Sequence, residues 1–169
     1  MKKTILNYGL YSSSLLIVLF GVSFIFEGSI DYSMSEIIGY ISIILSLTFI
    51  YFGIKFYRDT INNGLIKFLK GLKIGLLITI FPSLAFGFIN VVYTTYINPN
   101  FTTDYYNHSI ESFRETLPAV EFQAKLIELE SQREIFGNPY FNFFLMTLTV
   151  FIIGFLITVI SSLILKRNL

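Results

Sequence analysis

Four uninterrupted apolar runs, each about as long as a bilayer crossing, decide what this chain can fold into. They occupy residues 5–26, 37–57, 74–97 and 141–165. The hydrocarbon core of a bilayer is about 30 Å thick, and a helix crosses it in ~20 mostly apolar residues. The first, third and fourth runs hold no Asp, Glu, Lys, Arg or His, and the second holds only Lys55, near enough to its end to snorkel. With 54% hydrophobic and 14% charged residues, the chain departs from the roughly quarter-charged mix of soluble domains. The expectation is an all-α integral membrane bundle of four transmembrane helices, forming one membrane domain over residues 1–169. The opening Met1-Lys2-Lys3 resembles the start of a signal peptide, but Phe26-Glu27-Gly28-Ser29 offers no small-x-small cleavage pattern, so the first helix is expected to be retained.

Orientation follows from charge. Lys and Arg are kept on the cytoplasmic side close to helix ends. One set of segments carries Lys2, Lys3, Lys55, Arg58, Lys67, Lys70, Lys73, Lys166 and Arg167 against Asp59, a net charge of +8. The other set carries ten acidic residues against Arg114, Lys125 and Arg133, a net of −7. The total of +1 therefore conceals two opposed faces, which predicts cytoplasmic termini, a cytoplasmic link at 58–73 and an outer segment at 98–140. Within the link, Leu65, Phe68, Leu69 and Leu72 alternate with Lys67, Lys70 and Lys73 at helical spacing, an amphipathic approach to the third helix. These three lysines are candidate contacts for anionic lipid or an acidic partner, each contributing about 1 kcal/mol near a charged surface; they serve equally as topology determinants.

The outer segment is bracketed by Asn98-Pro99-Asn100 and Gly137-Asn138-Pro139. Between them Tyr106, Ile110, Phe113 and Leu117 form one helical stripe, and Ala119, Phe122, Leu126 and Leu129 another. Pro118 suits a first helical position. Glu121 and Lys125, four residues apart, suit a solvated helix face. An amphipathic helical pair is expected here, between the third and fourth spans.

Several segments carry a family resemblance: Glu36-Ile37-Ile38-Gly39-Tyr40, the run from Phe52 to Asp59, GLIKFLKGLKIG from Gly64 to Gly75, Asn98-Pro99-Asn100-Phe101, and Asn138-Pro139. Across nearly its whole length the chain resembles the bacterial four-helix integral membrane family catalogued as domain of unknown function 4199. The resemblance implies a Gram-negative inner membrane with the acidic helical pair in the periplasm. It brings no activity, cofactor or catalytic residue.

The absence of cysteine excludes disulfides, thiolate nucleophiles and sulfur-ligated metal. Proton relays and metal catalysis at membrane depth need Asp, Glu, His or Cys, which the runs lack. His108 with Asp104 makes an incomplete metal site, and Glu111 with Glu115 suits a solvated helix face. No catalytic residue, metal site or cofactor is expected, and neither is enzymatic activity. Hydroxyls and amides at membrane depth, with Ser13, Ser46, Asn90 and Tyr93 as candidate lining residues, suit a polar crevice between the first three helices, and Pro82 suits a break in the third. Small-residue pairs, Gly71/Gly75 and Ser83/Gly87 above all, suit close helix approach within the bundle or between copies. The reading is a non-enzymatic accessory or scaffold protein of the cell envelope; the alternative is a small lipid-handling carrier. Expected partners are membrane lipids and either another envelope membrane protein or a second copy of the chain, with no nucleic acid.

Overall fold

The structure is a computed structural model describing residues 1–25 and 32–167. Glu27 and Asp31, in the link expected between the first two spans, lie outside the described residues. Among the described residues the chain is helical: α1 (Lys2–Ile25), α2 (Tyr32–Phe56), α3 (Phe68–Val92), α4 (Phe101–Thr116), α5 (Ala119–Phe136) and α6 (Pro139–Leu165). Four stretches are long and apolar enough to cross a membrane, namely Lys2–Ile25, Ser33–Ile61, Phe68–Ile97 and Pro139–Leu165. Each overlies an expected run and begins two to six residues before it, and Ser33–Ile61 also ends four residues beyond, because hydropathy fades before backbone hydrogen bonding does. Spans α2 and α3 both end in a widened π-helical turn, Tyr57–Ile61 and Tyr93–Ile97, closed by Asn62 and Asn98 amides donating to the carbonyls of Tyr57 (3.0 Å) and Tyr93 (2.8 Å).

The chain divides into two compact units, one comprising Met1–Phe86 and Met146–Leu169, the other Gly87–Leu145. In the first unit α1 and α2 run antiparallel, joined where the Ser12 hydroxyl donates to the Ser46 carbonyl at 2.7 Å. Antiparallel α3 and α6 meet along a seam of small residues with a four-residue repeat: Gly71 against Ser162, Gly75 against Thr158, and Thr79 against Gly154. A Cβ on Gly75 would lie 2.5 Å from Thr158 Cγ2, so the close approach requires glycine. Two hydroxyls from the facing helices, Thr79 and Thr158, come within 3.4 Å. The small-residue stripe of α3 is thus occupied by α6 of the same chain. Pro82 does not break α3, contrary to expectation. It is enclosed, within a helix that runs unbroken from Phe68 to Val92, and the Ser83 hydroxyl beside it donates to the Thr79 carbonyl at 2.8 Å.

In the second unit α4 and α5 form an antiparallel pair around buried Tyr106 and Leu129. Cations cross the pair in both directions: Arg114 lies over the Phe122 ring and Lys125 over Phe113, each 5.7 Å from the centroid. Burial pushes the Tyr106 phenol above its ordinary range, and Tyr105 adds to the shift. Two details differ from expectation. Pro118 stands just before α5, with extended ψ of 150°, since its ring fixes φ while leaving ψ free to enter the helix. Lys125 pairs with Glu128 at 2.7 Å where Glu121 was expected, because its stem turns toward α4 and Phe113. Residues 65–67 are also non-helical, so the amphipathic approach to the third span begins at Phe68.

Candidate functional site

The described residues concentrate chemistry at two places: the basic end of the first unit and a polar cleft in the second. At the basic end, the turn after α2 is held by Asn63 and Gly64, both at positive φ (52° and 79°), a conformation Gly and Asn reach at little cost. The turn delivers Ile66 to Arg167, and the two exchange backbone hydrogen bonds of 3.1 and 2.9 Å in an antiparallel bridge. The link and the segment following α6 are therefore tied at the same end. Tyr8 brings α1 there too, its ring 5.8 Å from that of Phe56.

Arg58 stands at the centre of this end. It is only 7% exposed, forks onto the Asp59 carboxylate at 2.6 and 3.0 Å, and directs Nη1 toward the Leu165 carbonyl at 3.4 Å. Position 165 closes α6, where carbonyls lack intrahelical donors and the helix dipole is negative. A guanidinium there satisfies both. By sequence alone Arg58 is one topology charge among nine, since its partner at Leu165 lies 107 positions away. Lys67, Lys70 and Lys73 are exposed around this hub, with Lys70 Nζ 5.8 Å from the centre of the Tyr57 ring. Replacing Arg58 with Gln is expected to release the segment after α6. The check is hydrogen exchange, in which the Arg167 amide should exchange roughly tenfold faster, as loss of about 1.4 kcal/mol of local protection requires, while amides of the α1–α2 pair keep their rates.

The candidate lining residues divide between the units. Ser13 and Ser46, in the first, donate to main-chain carbonyls of their own helices, Gly9 at 2.9 Å and Ile43 at 2.8 Å. Asn90 and Tyr93 fall in the second. The Asn90 Oδ1 is buried with no hydrogen-bond partner, and the Tyr93 ring packs edge-on against Phe101 at 5.4 Å.

The second unit has a shallow cleft of about 200 Å³, open to the surface and walled by Thr94, Thr95, Thr102, Thr103, Arg133 and Asn142 among others. Four segments supply it. The π-helical turn after α3 contributes Thr94 and Thr95, the first turn of α4 Thr102 and Thr103, the last turn of α5 Arg133, and the first turn of α6 Asn142. Arg133 Nη2 donates to Thr103 Oγ1 at 3.3 Å. Asn142 is 7% exposed, and its Oδ1 has no partner. The first amides of α6 are already served, since Asn138 Oδ1 accepts from the Tyr140 and Phe141 amides at 2.9 and 3.3 Å. Sequence reasoning missed this cleft, although one signal was available. Tyr57-Arg-Asp-Thr-Ile-Asn62 and Tyr93-Thr-Thr-Tyr-Ile-Asn98 share a Tyr-x-x-x-Ile-Asn pattern that marks both widened turns, and π-helical turns gather at functional sites.

No curated protein and no solved structure shows a detectable match to the chain. A family model does match, over residues 7–167. The chain belongs to the family described as "Protein of unknown function (DUF4199)".

Proposed function

We propose that this membrane protein is a non-enzymatic accessory or scaffold subunit of the bacterial cell envelope, held in the inner membrane with both termini cytoplasmic and the α4–α5 pair in the periplasm. The observation that carries the reading is how hydroxyls at membrane depth are used. Ser12, Ser13, Ser42, Ser46, Thr79 and Ser83 each donate to a main-chain carbonyl, so they stitch and line helices where a translocation path would need them facing a cavity. The outer faces of the same helices are long apolar strips: Ile17, Val18, Ile41, Ile44, Leu84, Leu156 and Ile160 are exposed, available to lipid and to the spans of another protein. The carrier reading draws support from buried polar atoms without a partner, the Asn90 Oδ1 in α3 and the hydroxyls of Thr4 in α1 and of Thr147 and Ser162 in α6.

The test is purification in native nanodiscs with mass spectrometry, combined with a photo-crosslinking residue placed singly at Leu84 and at Ile160. A scaffold subunit gives the same envelope protein in fixed stoichiometry with crosslinks from one of the two faces. A chain that runs without a protein partner, uncrosslinked from both, overturns the reading and places the carrier first.

A further inference from the structure

We propose that the outward face of α5 docks an amphipathic helix of another protein whose apolar seam is edged by Lys or Arg. Val120, Ala124, Ile127, Ser131 and Ile135 follow one another at intervals of four, three, four and four residues, the spacing of a continuous helical stripe. At 1.5 Å per residue the stripe is about 22 Å long. Every member is exposed, Val120 at 84%, Ile127 at 69% and Ile135 at 46%. On a helix of 3.6 residues per turn it lies about half a turn from the face that meets α4, where Leu129 is buried and Lys125 reaches the Phe113 ring. The helical pair therefore leaves a second apolar stripe of α5 unused. Exposed apolar residues are ordinary when scattered singly; a row of them marks an interaction surface.

The relief and the borders of the stripe select its occupant. Small Ala124 and Ser131 alternate with branched Val120, Ile127 and Ile135, leaving two notches seven residues apart, the repeat at which one face of a facing helix presents large side chains. The borders are acidic on both sides. Glu121 and Glu128 stand on one edge, Glu130 and Gln123 on the other, and all four are exposed. Glu128 is paired with Lys125 at 2.7 Å, whereas among the described residues Glu121 and Glu130 have no ion pair. A helix that lies in a bilayer surface sets Lys and Arg beside its apolar strip, where they meet lipid phosphates; carboxylates in those places are repelled. A second copy of α5 laid along the first, in either direction, sets carboxylate edge against carboxylate edge. A helix edged by Lys or Arg turns both borders to attraction while its seam covers the stripe. That such a partner exists rests on the accessory-subunit reading; its chemistry rests on α5.

The experiment holds the full chain in phosphatidylcholine nanodiscs and titrates two fluorescent helical peptides with the same leucine seam, one edged by Lys and the other by Glu, with empty discs as the reference. The expected result by fluorescence anisotropy is about tenfold tighter binding of the Lys-edged peptide. Ile127→Asp should weaken that binding about tenfold. Glu121→Lys/Glu130→Lys, one change on each edge, should invert the preference, a gain of binding that neither a misfolded chain nor a peptide held by lipid can produce. Equal binding of the two peptides, absence of binding, or a preference that survives the charge reversal overturns the proposal. Two results from Ile127→Cys, whose thiol is the only one in the chain, overturn it as well. A disulfide-linked dimer on oxidation of the membranes assigns the face to a second copy, and quenching of a fluorophore at that thiol by brominated lipid assigns it to the bilayer surface. Crosslinks from Leu84 or Ile160 alongside failure of the peptides leave the accessory-subunit reading standing and remove only its α5 surface.

Discussion

Adding a single methyl group at Gly154 is expected to loosen the α3–α6 seam, and adding a leucine side chain there to disrupt it. The Cβ built at this position collides with Thr79 Cγ2 and stands 3.0 Å from Thr79 Oγ1 and 3.3 Å from Thr79 Cβ. Thr79 cannot easily yield. It is wholly buried, its β-branched side chain has few rotamers in a helix, and its hydroxyl is spent on the Gly75 carbonyl at 2.9 Å. Overpacking of this sort costs about 1–3 kcal/mol, against which the better helix propensity of alanine returns at most ~1 kcal/mol. Gly154→Leu adds three more carbons to the same gap and belongs at or beyond the top of that range. Thermal unfolding of the detergent-solubilised protein checks the order: native, then Gly154→Ala, then Gly154→Leu. The decisive comparison is the double variant Gly154→Ala/Thr79→Ala, in which removing the threonine branch makes room for the new methyl. A coupling of 0.5 kcal/mol or more, within the range for residues in contact, is expected. If the two substitutions merely add, contact at this seam does not hold α3 against α6.

Much of the fold was readable from the chain because hydropathy is a one-dimensional property. Runs such as 74–97 announce a span wherever their neighbours fall, and Asn98-Pro99-Asn100 and Gly137-Asn138-Pro139 stop helices by backbone chemistry alone. The small-residue stripe at Gly71 and Gly75 was also visible, although which helix fills it is decided by Thr158 and Ser162 more than eighty positions on. Arg58 is the clearest case of what could not be read. As a basic residue at a helix end it looks like eight others, and only the arrival of the α6 carbonyl at Leu165 makes it a buried hub. The candidate lining shows the same limit. Ser13 and Ser46 are polar at membrane depth in any reading, yet whether their hydroxyls face a crevice depends on carbonyls within reach, and both found one. In α5 the apolar residues form two stripes. Phe122, Leu126 and Leu129 turn inward, while Val120, Ile127 and Ile135 stay exposed, and a search for a single amphipathic face finds only the first.

Cysteine labelling should divide the chain into two sides with nearly all-or-none contrast. The native sequence has no cysteine, so one introduced thiol is the sole target of a maleimide that cannot cross the membrane. Glu111→Cys, on exposed α4, is expected to react in intact cells, and Asn63→Cys, in the exposed turn after α2, only after the membrane is opened. Two independent lines lead to this outcome. Charge favours it, since the segments grouped with Asn63 total +8 and those grouped with Glu111, the 27–36 link included, total −7, and each basic residue near an anionic leaflet contributes about 1 kcal/mol. Geometry makes the bias collective. The Ile66–Arg167 bridge and the Tyr8–Phe56 contact bring the link, the segment after α6 and the start of α1 to the same end of the first unit, so the basic residues of all three segments must choose a side together. On α4 and α5, Arg114 and Lys125 oppose that choice weakly, being drawn onto the rings of Phe122 and Phe113, with Lys125 also paired to Glu128. Equal labelling at the two positions would mean that both orientations coexist, and labelling at Asn63 alone would invert the topology; either result removes the periplasm as the compartment of α4 and α5.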